Sequence, residues 1–325
     1  MIRARLRRAL AWRFGAVVGR LDALGDRIAR LDQRLHAIEE RTAAMAGAFD
    51  ELRVLEAGIT QVADHAEAAR AAIDDRVQPM LRAIAEEESE NRRRLFALRS
   101  SDAYEAAYSD PEPLITVALP TAGRKELLLE RALPSLLAQT YPNLEVRIIG
   151  DAVDAGVGES VVALGDPRVR FANLSQRFVH PDPLVQGLVG ATMARNEAAR
   201  QARGSWLIHF DDDDHLRPDA VAWLLALARE RRAEVAYGGF EQHEPDGGVT
   251  RAIHFPPRHG SFSWAGALVH GGLRFFEREL VAAELGRPGD MYVLDRMLRV
   301  GVRFGMLDDV VLDYFPSRLW ESVES

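Results

Sequence analysis

From Phe14 to Leu52 an apolar residue recurs at the first and fourth positions of every seven, and this pattern constrains the fold more than any other feature. Position a reads Phe14, Leu21, Ile28, Leu35, Thr42, Phe49; position d reads Val17, Leu24, Leu31, Ile38, Met45, Leu52. That spacing puts all these side chains on one stripe of a helix, a seam that closes on another helix. Arg27 with Asp32, and Arg34 with Glu39, stand at g and the following e, where ion pairs form between chains of a parallel coiled coil. The expectation is a homo-oligomer through residues 14–52; the alternative is a helix folded back onto its own chain. Beyond Leu52 the register slips through Leu55 to Ile59, and Gly58 and Pro79 argue against one rigid rod reaching residue 98.

Ahead of the heptads, Arg3, Arg5, Arg7, Arg8, Arg13 and Arg20 occur without an acidic residue, interleaved with Ile2, Leu6, Leu10, Trp12 and Phe14. Such a basic amphipathic stretch suits peripheral contact with anionic lipid through residues 1–20; solvated charge on an ordinary helix is the plainer reading. Arg13 and Arg20 break its apolar run and no small-residue cleavage site follows, which does not fit a signal peptide. No apolar stretch reaches the ~20 residues of a membrane span. The chain has no cysteine, so disulfides and thiolate metal sites are excluded. A net charge of -8 argues against nucleic acid as a partner. The expected location is the cytoplasm, at the inner membrane face.

Ser100, Ser101, Asp110, Pro111 and Pro113 mark a boundary, dividing the chain into a helical region 1–100, a linker 101–113 and a domain 114–325. In that domain strand and helix signals alternate. Leu114 to Leu119, Leu144 to Ile149, Val169 to Phe171 and Trp206 to Phe210 read as strands; helices are expected near 125–139, 190–203 and 218–232. This order implies an α/β fold with a mixed, mostly parallel, Rossmann-like sheet flanked by helices, binding ligands beyond the carboxyl ends of its strands. No G-x-G-x-x-G follows the first strand, so a dinucleotide site lacks support.

Four aspartates, Asp211 to Asp214, end the strand beginning at Trp206. Adjacent like charges repel, and a folded domain tolerates them best opposite a cation or a row of donors. In an extended backbone Asp211 and Asp213 share a face and Asp212 takes the other. Two carboxylates facing one way suit a hard divalent cation, Mg²⁺ or Mn²⁺, that also holds phosphates. A solvated acidic turn is the bland reading. His254, His259 and His270 have no compact metal-ligand spacing.

Val117 to Thr121, Gln139 to Asn143 with Ile148 to Asp151, Ala194-Arg195-Asn196, and Phe210 to Asp214 with Pro218 resemble, in order and spacing, the family 2 glycosyltransferases of GT-A fold. The resemblance covers residues 114–325 and leaves the coiled coil unexplained. It implies an inverting transfer of a sugar from a nucleotide-diphosphate donor to a hydroxyl of a glycan or lipid-linked acceptor. Thr121, Arg124, Asp151, Arg195, Asp211 and Asp212 are then expected to bind the donor, with Asp211 and Asp213 on the metal. Asp151 could equally cap a helix. Gly289-Asp290-Met291-Tyr292 resembles the family's acidic motif at a helix start, making Asp290 the expected base; relatives commonly have Glu-Asp where this chain has Gly-Asp. Asp290 also suits an ordinary N-cap, and Asp295 is the reserve. Trp264 could stack on an acceptor sugar or sit in the core. Q-x-x-R-W is missing near Tyr314 to Trp320, which with the lack of membrane spans favours non-processive addition. Two readings compete with the transferase: a coiled-coil scaffold whose transferase-like domain binds nucleotide without turnover, and a nucleotidyltransferase, whose glycine-rich loop Pro120 to Arg124 matches poorly.

Overall fold

The computed structural model describes the backbone of residues 2–316 and the side chains from residue 24 onward. Contacts divide the chain into two units, Met1–Ala83 and Ile84–Ser325.

In the first unit one helix, Ile2–Ala72, is followed by a π-helical turn, Ile73–Val77. The helix passes Gly58 unbroken, and the interruption expected at Pro79 takes the form of that π turn just before it. No described side chain of this unit is buried. The heptad residues from Leu24 to Leu52 stay exposed, Leu31 at 63% and Phe49 at 61%. The basic side chains of residues 1–20 lie outside the described ones.

The second unit begins within the helix Gln78–Arg99, which buries Asn91 and Leu95. Residues 101–113, read from composition as a linker, contain the helix Asp102–Ser109; the Ser101 hydroxyl caps it by accepting from the Tyr104 N–H at 3.3 Å. Tyr104, Ala107 and Tyr108 enter the core, a hydrophobic spacing too short to stand out beside the flanking Ser and Pro signals. Glu234, fully buried, accepts from Arg99 at 2.7 and 2.8 Å, from the Tyr104 hydroxyl at 2.9 Å and from the Arg303 N–H at 2.8 Å. A buried carboxylate needs that many donors to offset its lost hydration.

The described strands are β1 (Ile115–Thr121), β2 (Leu144–Gly150), β3 (Val169–Asn173), β4 (Trp206–His209), β5 (His215–Leu216), β6 (Val235–His243), β7 (Val249–Ala252), β8 (Ala267–His270) and β9 (Phe304–Tyr314). They form one sheet in the order β3-β2-β1-β4-β8-β6-β9-β5, with β7 paired to β6. β3, β2, β1 and β4 are mutually parallel, with Ile115 opposite both Leu144 and Trp206. At β8 the direction reverses, and β6 runs antiparallel to β8 but parallel to β9. The antiparallel half was not legible, because past residue 232 the chain no longer alternates strand with helix. The result is a mixed α/β sheet of GT-A type.

β1 is buried on both faces, as a central strand between parallel neighbours requires. Val117 and Leu119 join Leu128, Leu133 and Leu136 on one side. Ala118 joins Ile149, Leu207 and the alanines 194, 198 and 199 of the helix Thr192–Arg200 on the other. Each fully buried leucine contributes roughly 1.5–3 kcal/mol. The stack fixes where β1, β2 and β4 end, and their carboxyl ends carry Thr121, Asp151 and Asp211.

Candidate active site

Thr121 closes β1 and turns its hydroxyl to Asp212, donating to Oδ2 at 2.6 Å. Arg124, three residues on, forks across two neighbouring carboxylates, giving Nη2 to Asp212 Oδ1 and Nη1 to Asp213 Oδ2. Arg131 donates to the Asp213 carbonyl at 2.8 Å, and its guanidinium lies 3.8 Å above the Phe315 ring. Asp214 is wholly buried; one oxygen accepts from the Phe315 N–H at 3.1 Å and Oδ2 has no partner among the described residues. Burial, with Asp211 and Asp213 beside it, pushes the Asp214 carboxyl well above the ordinary range. Burial also pushes the Asp213 carboxyl up to about 6, Arg124 opposing and Asp211 and Asp212 adding to the rise. Burial and the crowding of like charge thus work against ionisation of Asp213 and Asp214, a cost that a bound cation would relieve.

Asp211 pairs with Arg195 of the helix Thr192–Arg200 at 2.5 Å. Asp151, after β2, is 5% exposed and bridges to Arg177 at 3.2 Å, while its Oδ1 has no partner among the described residues. Burial raises its carboxyl despite Arg177.

A cleft of about 710 Å³ opens beside these groups. Arg124, Arg195, Asp211, Asp213, Trp264 and Asp290 all line it. Thr121, Asp151 and Asp212 are not among its lining residues. Asp211 and Asp213 line the cleft while Asp212 faces Thr121 and Arg124; the strand ends at His209 and Asp212 and Asp213 lie in a turn, so this facing comes from the turn rather than from the extended backbone expected. Hard carboxylate oxygens lining one cleft fit Mg²⁺ or Mn²⁺.

Asp290 stands in the first turn of the helix Gly289–Val300, and its Oδ1 accepts from the Met291 N–H at 2.8 Å. Asp295 lies farther along, 3.4 Å from Arg287, and is not a cleft residue. Trp264 is 5% exposed, packed edge-on against Phe262 and His209. His270 belongs to the core, between Tyr104 and Trp206, and His259 lines the cleft.

Sequence reasoning missed Arg131, Arg177, Arg278, Tyr314 and Phe315. Arg177 lies in the long segment between β3 and the next helix, and the others reach the site by tertiary packing, so no local spacing marks them. A second cluster, Glu241, His243 and Asp313, brings three potential metal donors together; Arg217 pairs with Glu241 at 2.6 Å and Asp313 at 3.0 Å, as Arg195 and Arg124 pair with Asp211 and Asp213.

Comparison with known proteins adds to this geometry. The family described as Glycosyl transferase family 2 matches residues 116–282, just over half of the 325-residue chain. Succinoglycan biosynthesis protein ExoO of Rhizobium meliloti (strain 1021) is 31% identical over 117 residues, which are 36% of this chain and 30% of that protein. The putative teichuronic acid biosynthesis glycosyltransferase TuaG of Bacillus subtilis (strain 168) is 25% identical over 148 residues, 45% of this chain and 54% of that protein. The crystal structure of S. aureus TarS 1-349 in complex with UDP is 18% identical with a TM-score of 0.48, over 65% of this chain and 63% of that one. The chain spans less than two thirds of each of these proteins. With β2 to β8 and the aspartate run inside the matched segment, the chain belongs to glycosyl transferase family 2.

Proposed function

We propose that the protein transfers a sugar from a nucleotide-diphosphate donor to an acceptor hydroxyl, with inversion and without processivity. The observation that carries this reading is that Asp211, Asp213, Arg195 and Asp290 line one cleft. Asp151, Thr121, Arg124 and Asp212 hold the nucleoside side. Asp151 keeps one oxygen free to accept from a base imide or ribose hydroxyl, and the Thr121–Arg124 pair braces Asp212. Asp211 and Asp213 would hold Mn²⁺ or Mg²⁺, which when bound would neutralise charge on the diphosphate. Arg195 adds a guanidinium suited to phosphate oxygens.

Asp290 acts as base. It takes the proton of the acceptor hydroxyl as that oxygen bonds to the anomeric carbon; the bond to the diphosphate breaks, and its electron pair leaves on the phosphate oxygen. Attack opposite the leaving group inverts the anomeric centre. The relatives' names point to glycans of polysaccharide or teichuronic acid type as the acceptor class. The proposal extends to self-association through residues 14–52 and to action in the cytoplasm, in contact with the inner membrane face through residues 1–20.

The test is a panel of nucleotide-sugars with Mn²⁺ and candidate glycan acceptors, reading nucleoside diphosphate release and the product's anomeric configuration by NMR. Transfer with inversion, lost at least a hundredfold in Asp290→Asn while nucleotide affinity holds, is expected. Nucleotide binding without turnover for any donor would instead favour the scaffold.

A further inference from the structure

Arg278 and Arg296 are the buried arginines among the described residues, 6% and 4% exposed. They differ in their company. Arg296 is paired with Glu87 and, at 2.9 Å, with Glu279. Arg278 has no carboxylate of the described residues within salt-bridge distance; its Nη1 faces His209 Nδ1 at 3.4 Å, and its Nε has no hydrogen-bond partner among the described residues. Burial and the cations Arg278 and Arg195 hold the His209 ring well below its usual range, so His209 is neutral and supplies no counter-charge. A desolvated guanidinium without a counterion is costly to keep, and such groups persist where a ligand completes them.

Nor is the side chain where it is by loose packing. The Arg278 N–H donates to Asn196 Oδ1 at 2.9 Å and its carbonyl accepts from Asn196 Nδ2 at 2.8 Å, fixing its backbone to the helix that bears Arg195. Arg278 lines the cleft together with Arg195, Asp211 and Asp290. Burial and Arg195 bring its guanidinium down to about 10, with Asp290 and Asp211 opposing, so it remains charged at neutral pH.

We propose that Arg278 is an anion-binding residue of this cleft, receiving a phosphate oxygen beside Asp290. A planar fork of donors matches phosphate geometry. The assignment rests on the transferase reading for its source, which is either the donor's diphosphate or a phosphate carried by the acceptor; both present the same oxygens.

The experiment is calorimetric titration of the full chain and of Arg278→Gln and Arg278→Lys, with Mg²⁺, using UMP, UDP, GMP, GDP and inorganic phosphate as probes. Phosphate should bind the native chain, lose roughly tenfold or more in Arg278→Gln, and be partly retained in Arg278→Lys. A matching loss for the diphosphate nucleotide but not its monophosphate identifies the donor as the source. An unchanged diphosphate affinity, with phosphate still binding beside saturating nucleotide, identifies the acceptor. The ligand-free melting temperature of Arg278→Gln should equal or exceed that of the native chain, because an uncompensated buried charge is removed. Equal phosphate binding by native and Gln chains, no binding by either, or a clear fall in melting temperature overturns the proposal. Phosphate binding through Arg278 with no nucleotide bound at all would uphold this residue's role and sink the transferase reading instead.

Discussion

The indole N–H of Trp264 donates to the backbone carbonyl of Asp290 across 3.0 Å, tying the segment before β8 to the first turn of the helix Gly289–Val300. Because the tryptophan is 5% exposed and packed on its edges by Phe262 and His209, it offers little face to a sugar and is placed instead to hold Asp290 in position.

Trp264→Phe keeps most of that packing and removes the donor. The carbonyl keeps its partner within the helix, so the loss of this bond costs about 0.5–1.5 kcal/mol. Turnover should fall several-fold with nucleotide affinity unchanged and the melting temperature a few degrees lower, as steady-state kinetics, calorimetry and thermal melts would register. A rise in acceptor KM at constant kcat would mark the ring as a sugar platform instead.

The exposed seam of the long helix makes a separate prediction. The g positions 20, 27, 34 and 41 are all arginine, whereas Asp32 and Glu39 stand at e. Antiparallel pairing sets g against g, arginine facing arginine; parallel pairing sets Arg27 against Asp32 and Arg34 against Glu39. The chain lacks cysteine, so Ile28→Cys and Phe49→Cys give clean probes. Each should cross-link to itself under oxidation in a full-length oligomer. An oligomer in which neither cross-links would contradict parallel in-register pairing, and a monomer by sedimentation would remove self-association altogether.

What could be read from the sequence depended on how local the signal was. The heptads, which lie in one long helix, and the strand Trp206–His209 ahead of the aspartates are contiguous patterns, and both elements were legible. The facing expected of Asp211, Asp212 and Asp213 assumes an extended backbone, whereas β4 ends at His209 and a turn sets where the carboxylates point. The antiparallel strands β6 to β9 were not legible, because their pairing is set by contacts among residues far apart in sequence, such as Val235 with Val269 and Phe304. Arg278 was missed for the same reason: its lack of a counter-charge exists only once Asn196 and His209 are folded against it.

His270 ties stability to pH. It is 3% exposed, its Nδ1 accepts from the Gly272 N–H at 3.0 Å, and burial holds the ring below its usual 6.5, with Glu234 and the Tyr104 carbonyl opposing and Arg232 and Arg274 adding. As pH falls, the unfolded chain takes up this proton first. The contribution to stability is therefore whole above about pH 6.5 and declines below it, by up to about 1.4 kcal/mol per pH unit. Urea unfolding from pH 7.5 to 5 should show that slope flattened in His270→Gln; identical slopes would mean the ring does not stay neutral in the fold.

The central claim is that the aspartate run and its cleft bind a nucleotide with a divalent cation. Melting temperatures of the purified chain against UDP, GDP, dTDP and CMP, each with and without Mn²⁺, test it most directly. A ligand at a hundred times its dissociation constant adds about 2.7 kcal/mol. The account predicts stabilisation by one nucleotide, dependent on Mn²⁺ and abolished in Asp213→Asn. No response to any nucleotide, or a response that Asp213→Asn leaves intact, would contradict it.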